Sequence, residues 1–105
     1  MSRVGGAAAC AVAGVVMLVL GAPLARADDE GFVRDARALG FMINDENISS
    51  MGRDACYFLS RNRHPGQVEE RIVRYGMVDA QAARRFLVNS VIEYCPQFSD
   101  RVDSI

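Results

Sequence analysis

The stretch Ala82-Ala83-Arg84-Arg85-Phe86-Leu87-Val88-Asn89-Ser90-Val91-Ile92-Glu93-Tyr94-Cys95-Pro96 decides the fold. Ala83, Phe86, Leu87, Ser90, Val91 and Tyr94 recur at three- and four-residue spacing, so one face of a helix is apolar. Asp79, just upstream, is a good N-cap. Pro96 cannot continue the helix and stops it. Cys95 falls in the last turn, at the edge of the stripe.

A second cysteine, Cys56, sits at the edge of an earlier helical pattern. There Ile48, Met51, Gly52, Ala55 and Leu59 share a face, with Cys56 and Phe58 on its flanks. The periodicity predicts a helix from Ile48 to about Asn62. Gly52 costs about 1 kcal/mol relative to alanine in a helix interior. On an apolar face such a glycine admits a close neighbour.

The third cysteine, Cys10, belongs to the leader. Met1-Ser2-Arg3 gives a short positive start, and Ala7 to Leu20 is an almost unbroken apolar run. That run has the length of a signal h-region and is short for a membrane span. Gly21 and Pro23 break it, and Ala25-Arg26-Ala27 supplies the small residues of a cleavage site. Residues 1–27 are therefore expected to be a signal peptide cut after Ala27, with no transmembrane span remaining. The alternative is an uncleaved N-terminal anchor. Cleavage removes Cys10 and leaves Cys56 and Cys95 as a pair in an oxidising compartment. A domain of this size buries only about 60% of its unfolded surface and usually needs a staple. Closing a loop of about 40 residues stabilises by roughly 4 kcal/mol in the chain-entropy model.

The remaining chain reads as four helices. Phe32, Ala36 and Leu39 form the face of the first, with Val33 at its edge. Asp28-Asp29-Glu30 precede it, where the helix dipole favours negative charge, and Gly40 ends it. Phe41-Met42-Ile43 reads as a connector packing inward. Arg61-Asn62-Arg63-His64-Pro65-Gly66 is a clear break. Gln67 to Tyr75 forms the third helix, with Val68, Ile72 and Tyr75 as its apolar side and Gly76 as its stop. The domain is assigned to residues 28–96. Residues 97–105 are mostly polar and are expected to form a flexible tail.

The pattern Gly52-x-x-x-Cys56-x-x-Leu59, with Val68, Gln81-Ala82, Phe86, Val88 and Tyr94-Cys95-Pro96, follows an acidic opening and Phe32-x-x-x-Ala36-x-x-Leu39-Gly40. It resembles the DUF732 family, small exported proteins abundant in mycobacteria. The resemblance implies an all-α domain carrying one disulfide and an envelope or secreted location. It implies no activity. The chain departs from the family pattern after Leu59, where Asn62-Arg63-His64 stand in place of a frequent glycine.

Composition narrows the function. The chain has 12 basic and 13 acidic residues. Loss of Arg3 and Arg26 leaves ten against thirteen, a net −3, which argues against nucleic acid as partner. Every basic residue other than His64 is arginine. A single histidine is too few for a histidine-rich zinc site or a defensible Ser-His-Asp arrangement. Paired cysteines leave no thiolate. No catalytic residue, metal ligand or cofactor is assigned, and the chain is read as a non-enzyme. Asn47-Ile48-Ser49 matches a glycosylation sequon, a motif that often arises by chance.

Two candidate surfaces remain. Arg61, Arg63, Arg71 and Arg74, with His64, form a basic cluster suited to an acidic partner or anionic envelope component. Tyr57 and His64 are the residues by which a groove would hold haem. The favoured reading is a binding module at the envelope or outside the cell; the alternative is a carrier of haem or a small apolar ligand. A cavity lined by Phe32, Phe58, Phe86 and Tyr94 would mark the carrier, and a closed core the module. In intact-mass spectrometry without reductant, the exported polypeptide is expected to start at Asp28. It should gain the mass of two hydrogens on reduction. A mass that includes residues 1–27, or no gain, rejects this reading.

Overall fold

The computed structural model describes residues 29–103. The expected leader, with Cys10, lies outside them. The described residues form an all-α domain without strands. Its helices are α1 (Asp29–Ala38), α2 (Asp45–Ser60), α3 (Pro65–Gly76), α4 (Ala80–Tyr94) and α5 (Ser99–Val102), with a 3-10 turn at Pro96–Phe98 between the last two. Helix α4 is the hub, packing against all the others. Its stripe is buried as patterned: Ala83, Phe86, Leu87, Ser90 and Val91 have almost no exposure.

Local chemistry sets the helix ends. Helix α2 starts three residues earlier than its apolar pattern, because the Asn44 side chain accepts from the Asn47 N–H. Asp79 caps α4 through the Ala82 N–H. Gly40 adopts φ +103°, and the Phe41 and Gly40 N–H groups bond to the Ala36 and Arg37 carbonyls, a Schellman ending for α1. Helix α2 ends in the same way. The Arg63 and Asn62 N–H groups bond to the Phe58 and Leu59 carbonyls, with Asn62 at φ 65°. Asparagine is the side chain best suited to that left-handed position after glycine.

A row of aromatic rings crosses the core. Tyr94 lies 5.1 Å from Phe32, Phe32 lies 5.0 Å from Phe86, and Phe86 stacks on Phe41 at 4.4 Å. Each end of the row rests in a notch left by a glycine. A Cβ on Gly52 would stand 2.6 Å from the Phe32 ring and 3.0 Å from Tyr94; a Cβ on Gly76 would stand 2.6 Å from the Phe41 ring. Gly76 is the last residue of α3, as expected, but it is buried in helical conformation as a seat for Phe41, and Met77 takes the left-handed cap at φ 56°. Within the connector only Phe41 is fully buried, while Met42 is exposed.

The disulfide joins Cys56 on α2 to Cys95 at the C-cap of α4, with Cα atoms 5.9 Å apart. That spacing is ordinary for a bridge between packed elements.

The tail departs from its expectation. The chain turns at Pro96–Phe98 and folds back as α5, burying Val102. Arg101 donates to the Leu59 and Arg63 carbonyls at the end of α2. Its composition looked polar because a four-residue helix needs only one buried side chain to dock. Tyr75 also differs: it is half exposed, and α3 buries Val68, Ile72 and the glycine notch in its stead.

Gly76→Ala tests the notch. Alanine favours a helix interior by about 1 kcal/mol, but overpacking a core costs about 1–3 kcal/mol. The Phe41 ring is fully buried and stacked on Phe86, so it must shift within the core to admit the new Cβ. A net loss of about 1–2 kcal/mol is expected in chemical denaturation. Unchanged or raised stability rejects the role assigned to Gly76.

Candidate functional site

Arg63, Arg71 and Arg74 of the basic cluster line one depression where the end of α2 meets α3, and Arg61 lies outside it, over the exposed Tyr57 ring. Aromatic rings hold them. The Arg71 guanidinium carbon lies 4.7 Å from the Phe58 ring centre and 4.8 Å from that of Tyr75. Arg63 lies 5.9 Å from Phe58, Arg74 lies 5.9 Å from Tyr75, and Arg61 lies 6.0 Å from Tyr57. Tyr57 in turn meets Phe58 edge-on at 5.5 Å. Each such contact stabilises by about 0.5–1 kcal/mol at an exposed site. Their larger effect is to orient the guanidinium groups.

Among the described residues the ion pairs are Arg37–Asp45, Arg53–Asp29 and Arg84–Glu69. None includes Arg61, Arg63, Arg71 or Arg74. Two depressions flank the Phe58–Arg71 contact. One, of about 280 Å³, has a floor of Ile43, Met51, Ala55, Val68 and Ile72 and a rim that includes Asn47, Asp54 and Tyr75. The other, of about 210 Å³, is bordered by Arg63, Arg74, Gln67 and Glu70. Phe58, Val68 and Arg71 line both. Sequence reasoning missed the part played by Phe58 and Tyr75, which were assigned to flanks and core. Tyr75 lies four residues after Arg71 on α3, and Phe58 joins them only across the α2–α3 contact.

The proposed haem residues lie elsewhere in function. Tyr57 is exposed and tied to Arg61. His64 caps α3: its Nδ1 accepts from the Gly66 N–H, and Gln67 Oε1 accepts from the His64 N–H. Neither residue lines the two depressions. The rings proposed for an internal cavity are split. Phe32, Phe86 and Tyr94 pack on each other, and Phe58 lies apart, at the surface cleft.

A wider hollow of about 830 Å³ lies between α1 and α2, with charges of both signs on its walls. There Asp29 does more than favour the helix start. Tyr94 Oη donates to Asp29 Oδ1 at 2.5 Å, and Arg53 donates to both carboxylate oxygens at 2.9 and 2.7 Å. The Arg53 guanidinium also covers the Tyr94 ring at 5.0 Å. The phenol hydrogen bond, then Arg53, holds the Asp29 carboxyl below its ordinary range. Burial, then the carboxylate, pushes the Tyr94 phenol up. Among the described residues no group of three His, Cys, Asp or Glu side chains is placed to hold a metal.

This clamp ties the start of the domain to the residue beside Cys95. Tyr94→Phe is expected to cost about 1 kcal/mol at neutral pH. The lowered Asp29 value contributes stability that is present above about pH 4 and lost as pH falls through the folded value. The raised Tyr94 value contributes stability that is present below about pH 10 and lost at higher pH. Wild type and Tyr94→Phe are therefore expected to converge in acid, and the phenol's alkaline loss should vanish from the variant. Parallel denaturation curves across the pH range reject the clamp.

No helix among the described residues is long and apolar enough to cross a membrane. No curated protein and no solved structure matches the chain. The family model described as "Protein of unknown function (DUF732)" matches residues 27–97, an interval that contains the glycine notch of α2, both bridged cysteines and the arginine-lined face, and the chain belongs to that family.

Proposed function

We propose that the protein is an exported, non-enzymatic binding module that engages an envelope or extracellular partner through the α2–α3 face. The observation that carries this reading is the set of three arginines, Arg63, Arg71 and Arg74, each over an aromatic ring and free of ion pairs with the described residues, beside an apolar cleft. Interface centres are enriched in arginine and tyrosine that stand already ordered before the partner arrives. The N-terminal apolar run, the Ala25-Arg26-Ala27 site and the disulfide support export. The core rings close on one another, which favours the module over a carrier with an internal cavity.

A photo-crosslinking side chain placed at Tyr75, in the exporting cell, tests this reading. A discrete adduct is expected at Tyr75 and not at Ile92, an exposed position on α4. The same adducts from both positions, or none from Tyr75, reject the α2–α3 face as the binding surface.

A further inference from the structure

The geometry points to the occupant of this face: an acidic segment of a partner protein that carries one bulky apolar side chain. This inference rests on the binding-module reading and gives its partner a chemistry. The two depressions share the Phe58–Arg71 contact as a common wall. On one side the floor is apolar. On the other, Arg63, Arg71 and Arg74 face a single carboxylate, Glu70. A ligand matching both sides is apolar at one point and anionic next to it.

Size selects between the sources of such chemistry. Pockets that hold small molecules run from about 300 to 1,000 Å³ and enclose most of their ligand. The apolar cleft, at about 280 Å³, is open and falls below that range. It suits one anchoring side chain better than a whole lipid tail. A flat bilayer surface would leave a concave site unfilled. The Arg71 guanidinium carbon lies over two rings, and among the described residues no ion pair takes up its N–H groups. Carboxylates bind such a fork in bidentate fashion. Arg71 and Arg74, one turn apart on α3, and Arg63 in the loop before it suit a run of carboxylates along a chain.

Selection of a displayed random peptide library on the whole folded domain tests this. Peptides bearing Trp, Phe or Leu next to two or more Asp or Glu are expected to be enriched. Their affinity should fall about tenfold or more with Arg71→Gln, with the apolar anchor changed to Ala, or with Asn47→Trp, which fills the cleft rim. It should also fall with added salt, as exposed charge pairing is screened. Arg34→Gln, on α1, should bind as wild type, and matched melting temperatures establish that the variants fold. A selection without acidic bias, or one indifferent to Arg71→Gln and Asn47→Trp, overturns the inference. So does a result in which vesicles of anionic phospholipid bind in an Arg71-dependent way while the library yields no acidic bias. A Tyr75 adduct alongside any of these failures leaves the binding module standing and removes only the acidic, anchored partner.

Discussion

The architecture depends on aromatic rings fitted into glycine notches. Tyr94, Phe32, Phe86 and Phe41 form a row that touches every long helix. Its ends rest on Gly52 of α2 and Gly76 of α3. A core of four rings occupies much of the interior available to so small a domain. Helices α2 and α3 each meet it at a point where the backbone lacks a Cβ. The disulfide then fixes α2 to the end of α4 beside one end of this row. The two devices act on different states. The rings stabilise the folded chain by burial and contact, whereas the bridge restricts the unfolded one.

Much of this was legible in local chemistry. The α4 stripe, the Asp79 cap, the Gly40 ending and the cysteine pair each depend on residues close in sequence or on simple elimination. The parts that were not legible depend on long-range geometry. Nothing near Gly76 shows that its missing side chain makes room for Phe41, and a glycine after an apolar run is ordinarily a stop signal. Asp29 and Tyr94 are 65 residues apart. At the start of a helix, an aspartate already has a sufficient local explanation. The tail misled because its apolar content is low, and one buried valine with one arginine was enough to dock it.

The candidate face shows the same division. The arginines were visible as a cluster in sequence. Their setting was not, because it needs Phe58 from α2 and Tyr75 from α3 at the same place. Once together, the rings lie under the guanidinium groups at 4.7–6.0 Å. Arg37, Arg53 and Arg84 have carboxylates to neutralise them. Among the described residues no ion pair engages the cluster, although Glu70 borders the same depression. His64 holds the loop beside this surface in shape by capping α3.

Arg101 has a separate significance. It donates to the Leu59 and Arg63 carbonyls, and Arg63 itself belongs to the cationic face. The family match ends at residue 97, so this plug lies beyond the shared region. In this chain the carbonyls at the end of α2 are therefore held from beyond the family interval, by the few residues that follow the proline.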